Sequence, residues 1–70
     1  MDLPPIEELR ILVAWFKQWY GLCWETRTEQ AAHYRRGYIT NRLHGSTTIS
    51  RNFLNRLSDV RASLLFNTRA

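Results

Sequence analysis

The chain is 70 residues long, 44% hydrophobic and 13% aromatic. That allows one domain, 1–70, with a small core, since a chain this short buries only about 60% of the surface its unfolded form exposes. A lidded active-site cleft or a dinucleotide fold needs more chain than this. The charge is uneven: the formal net charge is +4, with residues 1–25 netting −2 and residues 26–70 netting +6. Every basic residue except Lys17 is Arg, whose planar fork matches phosphate oxygens. A basic half on an ordinary domain points to a polyanionic partner; the plainer reading is a solvated Arg-rich face.

The first helix is expected from about Pro4 to Tyr20. Prolines 4 and 5 suit a first turn that needs no amide hydrogen, with Asp2 or Leu3 before it. Glu7 and Glu8 complement the positive end of the helix dipole, and Gly21 stands where a C-cap belongs. Ile6, Leu9, Leu12, Val13, Phe16 and Tyr20 recur at three and four residues and form one core stripe. Ile11 and Trp15 point away from it, and Trp19 lies at its border.

Leu22-Cys23-Trp24 reads as a short apolar connection, with Cys23 a small core residue rather than a nucleophile. Thr26-Arg27-Thr28-Glu29 fits a capping box, which starts a second helix near Arg27 and carries it through Ala31-Ala32 to Gly37. Tyr38 to His44 forms another short helix closed by Gly45. A continuous helix from Arg27 to His44 is the alternative, because an interior Gly costs only about 1 kcal/mol against Ala. Ser46-Thr47-Thr48 reads as a polar turn, and Ser50 as the N-cap of a last helix, roughly Arg51–Phe66. Phe53, Leu57, Val60 and Leu64 form its stripe, with Leu54 beside it. Asn67 to Ala70 reads as a frayed tail. No segment alternates with a period of two, so the expected fold is all-α: a small bundle of four helices, or three long ones, with a helix-turn-helix.

Three features converge on residues 27–44. Paired alanines allow close helix packing, a Gly-containing connection follows, and a short helix then combines core positions Ile39 and Leu43 with polar Thr40, Asn41, Arg42 and His44. In a helix-turn-helix the second helix presents such side chains to base edges. Tyr38, Thr40, Asn41 and Arg42 are the candidate base contacts, since Asn reads adenine and Arg reads guanine. Arg27, Arg35, Arg36 and Arg51 are the candidate phosphate contacts. His44 beside Gly45 reads first as complementing a helix C-terminus.

The run Tyr38-Ile39-Thr40-Asn41-Arg42-Leu43-His44-Gly45, followed by Thr48-Ile49-Ser50 and Phe53-Leu54-Asn55-Arg56-Leu57, resembles the second half of a Cro/CI-type phage repressor domain. The opening helix Leu9 to Tyr20, with Gly21-Leu22 after it, is similar to that family's first helix, so the resemblance covers residues 6 to 65. It implies a phage or bacterial transcriptional regulator that binds palindromic double-stranded DNA as a dimer.

No arrangement of Ser, His, Asp and Cys marks a catalytic or metal site. His33 and His44 are eleven positions apart, and no Cys or acidic residue stands at ligand spacing from either. There is no Gly-rich phosphate loop, so neither an enzyme nor a cofactor is expected, nor a small-molecule substrate. The lone Cys23, the start without a basic leader and the absence of a long apolar run lead to the expectation of a soluble cytoplasmic protein. Ile11, Trp15 and Trp19 form a candidate homodimer interface, with core packing of Trp15 as the competing reading. The same aromatic helix supports the runner-up function, a helical protein-binding module or inhibitor that docks through it.

Overall fold

A computed structural model describes residues 3–45 and 48–68, and the side chains of all of these but Thr68. The described residues are all-α. Helix α1 spans Pro5–Tyr20 and passes through a 3-10 turn, Gly21–Cys23, into α2, Trp24–Ala32. Helix α3, Tyr38–Leu43, and α4, Arg51–Thr68, follow. None is long and apolar enough to cross a membrane.

Helix α1 starts one residue later than its sequence predicts. Pro4 is the N-cap, its carbonyl accepting from the Glu7 and Glu8 amides at 3.0 and 3.1 Å, and Pro5 occupies the first turn. Gly21 closes the helix, its amide bonded to the Lys17 carbonyl. Leu9, Leu12, Val13 and Phe16 of the predicted stripe are buried, while Ile6 and Tyr20, nearer the ends, are half-buried. Ala32, Ile39, Phe53, Leu54 and Leu57 complete the core, so all four helices contribute to it. Packing side chains from every element around one small centre is how a chain of this length stabilises a fold.

The second helix differs from expectation at both ends. It begins at Trp24, not near Arg27, because the 3-10 turn feeds straight into it and the Trp24 amide bonds to the Gly21 carbonyl. Thr26 is therefore already helical, and no side-chain cap forms. Trp24 packs against the core with Lys17 over its ring at 5.5 Å, whereas Cys23 is exposed and not a core residue. The helix ends at Ala32 rather than running to Gly37. His33 takes the left-handed conformation at φ +62°, and two bonds wrap the terminus: His33 N–H to the Gln30 carbonyl (3.2 Å) and Tyr34 N–H to the Glu29 carbonyl (2.8 Å). That is a Schellman closure with His where Gly is usual. Of the paired alanines, Ala32 is buried and Ala31 exposed.

Gly37, at φ +84°, is the N-cap of α3, a backbone conformation that β-carbon-bearing residues rarely adopt. The two left-handed residues bracket the turn 33–37 and rule out a continuous helix from Arg27 to His44. Ser50 caps α4 as its sequence predicts, its Oγ accepting from the Phe53 amide at 3.1 Å. Helix α4 then runs to Thr68, past the predicted end at Phe66 and into the predicted tail, with Val60 and Leu64 half-buried. Of the predicted polar turn, residues 46 and 47 lie outside the described residues, as do Asp2 and the last two residues of the tail.

Candidate nucleic-acid interface

Two ties hold α3 in place. The first comes from α2. Glu29 is only 2% exposed, and its Oε2 accepts the Ile39 amide hydrogen at 3.1 Å. A carboxylate there satisfies an orphan donor in the first turn of α3 and complements its dipole. The capping box was expected to spend Glu29 on its own helix; the earlier start of α2 at Trp24 leaves it inside the helix and buried, where it caps the next helix instead.

The second tie is an aromatic column. The Tyr34 and Tyr38 rings stack nearly parallel, 4.0 Å apart at 3°. The Arg42 guanidinium lies 3.4 Å from the Tyr38 ring centre and donates from Nη1 to the Tyr38 carbonyl at 3.2 Å. Arg56, from α4, stands over the Tyr34 ring at 5.2 Å and donates from Nη1 to the Ala32 carbonyl at 3.3 Å. Phe53 is tilted against both tyrosines, 5.5 Å from each ring centre. Burial pushes the Tyr34 phenol above its ordinary pKa, and the nearby Arg56 charge works against that rise.

The predicted base contacts therefore stand in different surroundings. Asn41 is exposed on α3. Tyr38 and Arg42 are half-buried in the column. Thr40 is half-buried with its hydroxyl enclosed and without a hydrogen-bond partner among the described residues. His44 is exposed at the C-cap of α3, its amide bonded to the Thr40 carbonyl at 3.0 Å. Of the predicted phosphate contacts, Arg27 on α2 and Arg35 and Arg36 in the turn are exposed, and none joins an ion pair among the described residues. Arg51 is drawn to α1, where its two terminal nitrogens meet the Glu8 carboxylate at 2.7 and 3.0 Å. That contact holds the Glu8 carboxyl below its ordinary value.

On α1, Ile11, Trp15 and Trp19 lie four residues apart along one row. Ile11 is 51% exposed and Trp19 39%, while Trp15 is half-buried and packs on the core. Trp15 meets Phe16 edge-on at 5.2 Å and stacks on Trp19 at 5.0 Å and 14°. Trp15 thus serves both the monomer core and the exposed row.

Sequence reasoning missed Glu29 as the cap of α3 and missed the column. The i, i+4 spacing of Tyr38 and Arg42 was a readable signal for part of the column. Nothing in local spacing points to Arg56, which arrives from another helix. Comparison with known proteins finds no matching family model, no matching curated protein and no matching solved structure.

Proposed function

We propose that the chain is a sequence-specific duplex-DNA-binding regulator of the repressor type, acting as a homodimer, with α2, the turn 33–37 and α3 as its helix-turn-helix. The observation that carries this reading is the placement of Arg27, Arg35 and Arg36: three exposed guanidiniums without an ion pair among the described residues, on the helix and turn that lead into α3. Exposed, uncommitted cations beside a short helix suit phosphate contacts that set the register of that helix on the duplex. Asn41, exposed on α3, is the leading base contact. Arg51, committed to Glu8, is a secondary candidate.

The exposed row Ile11–Trp15–Trp19 supports the dimer. Its spacing places Trp15 midway between two flanking apolar residues, so a two-fold axis at Trp15 would set Ile11 of one copy against Trp19 of the other. Two copies reading two half-sites gain affinity and specificity that one small domain lacks.

The test is a titration on mixed-sequence duplex across salt concentrations. Three phosphate contacts per protomer in a dimer give a log–log slope of about −5. Arg35→Ala weakens binding to all sequences and flattens the slope; a loss confined to one sequence at unchanged slope removes Arg35 from the phosphate class. Sedimentation of Trp15→Glu checks the dimer: a folded monomer with weaker DNA binding supports it, and a wild type that is monomeric both free and on DNA excludes it. A second reading, a helical module that binds another protein through α1, draws on the same exposed tryptophan pair. Salt-sensitive duplex binding separates the two, since the module has none.

A further inference from the structure

Helix α3 is six residues long, too short to hold an orientation by itself. Its one fully buried side chain is Ile39. The direction in which Asn41 points must therefore be set by neighbouring elements. Glu29 fixes one end of α3 through the Ile39 amide. Besides its packing on α1 and α2, α3 is tied to α4 through the column.

We propose that Arg56 is the positioning residue of the recognition element, joining the end of α2, the turn and α3 to α4; this rests on the duplex-DNA reading above. Its Nη1 bonds the carbonyl of Ala32, the last residue of α2. The same guanidinium stands over Tyr34, the turn residue whose ring stacks on Tyr38, the first residue of α3. Phe53, three residues earlier and so on the same side of α4, presses on both rings. One cation thus touches the end of α2 and the ring that carries α3.

The chemistry calls for Arg rather than Lys. A guanidinium carries several donors in a fixed planar fork, so one can bond a carbonyl while the group stands over a neighbouring ring; an ammonium lacks that fixed geometry. Arg42, at the other end of the column, is held by the ring and carbonyl of Tyr38. Arg56 acts through the column on α3 and makes no base contact.

The experiment first enriches a duplex from a random-sequence pool with the wild-type protein. It then measures two quantities for wild type, Arg56→Leu and Arg56→Lys: the affinity ratio between the enriched duplex and its scramble, and the salt slope. Arg56→Leu is expected to lower the ratio about tenfold at unchanged slope, with Arg56→Lys between it and wild type. In the free protein, amide exchange of Tyr38–Leu43 should accelerate relative to α1. If Arg56→Leu does not fold, Arg56→Lys and Arg56→Gln supply the same readings. An unchanged ratio with a slope shallower by about one makes Arg56 a phosphate contact and overturns the proposal. An unchanged ratio with unchanged exchange overturns it as well. Failure of the wild type to enrich any duplex removes the DNA reading itself, a result distinct from both.

Discussion

Two of the stacked aromatic pairs among the described residues, one beside the turn and one on α1, are built differently. Tyr34 and Tyr38 stack at 4.0 Å with guanidiniums of Arg42 and Arg56 over them and Phe53 alongside. Trp15 and Trp19 stack at 5.0 Å on α1, with Trp15 resting on the core and Trp19 exposed. The first pair is closed by its own chain and spends its surface on fixing geometry. The second leaves part of its apolar surface facing outward, the surface on which the proposed dimer draws. The contrast teaches that aromatic content alone does not locate function; what covers the rings does.

The largest effect that tests this contrast is at Phe53. It is 1% exposed and supports both tyrosines, so Phe53→Ala should cost about 3–5 kcal/mol, comparable with the whole stability of a domain this size. Trp19→Ala should cost less than about 1 kcal/mol. Thermal melting compares them, and equal losses would erase the distinction between a closed and an open pair.

The next effect concerns the other tie on α3. Glu29→Ala leaves the Ile39 amide without its partner and should cost about 1–3 kcal/mol. Glu29→Gln keeps an acceptor oxygen and should recover most of that loss. Denaturant titration of the two variants decides it; a Gln variant as weak as the Ala variant would mean that the charge, not the accepted hydrogen bond, is what matters.

Sequence periodicity carried the core a long way, because a stripe at three- and four-residue spacing is a property of one helix. Leu9, Leu12, Val13 and Phe16 were legible for that reason, and so was the Ser50 cap, a local bond between neighbours. The limits of α2 were not legible. They depend on a 3-10 turn that extends the helix backward to Trp24 and on His33 adopting a left-handed conformation that β-carbon-bearing residues seldom take. The same displacement turned Glu29 from a local cap into a tertiary one. In the candidate site, Arg27, Arg35 and Arg36 are exposed as a phosphate role requires, whereas Arg42, Thr40 and Arg51 have partners or enclosure that only the packed helices create. Long-range partners such as Ala32 for Arg56 and Glu8 for Arg51 have no signature in local spacing.

A smaller effect of opposite sign is expected at Thr28, which is 0% exposed with its hydroxyl lacking a hydrogen-bond partner among the described residues. Thr28→Val keeps the shape and removes the unsatisfied group, so it should stabilise by about 1 kcal/mol in the same denaturant assay. A destabilised Thr28→Val would show that the hydroxyl is satisfied in solution.

The smallest effect is the pH dependence of the Glu8–Arg51 pair, which joins α1 to α4. The folded carboxyl lies below its ordinary value of 4.5 because Arg51 donates to it. Its contribution is therefore full above the unfolded value and is lost as pH falls through the folded one. Both side chains are partly exposed, so the effect is slight. Melting temperatures of wild type and Arg51→Gln should differ more at neutral pH than at acid pH; a difference that persists in acid would assign Arg51 another role.

The most direct measurement of the central claim is a two-dimensional amide NMR titration of the free protein with mixed-sequence duplex at low salt. It reads both aromatic regions at once, because the indole signals of Trp15 and Trp19 report α1 while the backbone signals of residues 33–43 report the turn and α3. Shifts are expected to concentrate at Arg27, Arg35, Arg36 and Asn41 and to fade as salt is added. Shifts at the α1 indoles with none at residues 27–43, or no shifts at any duplex concentration, would contradict the DNA reading.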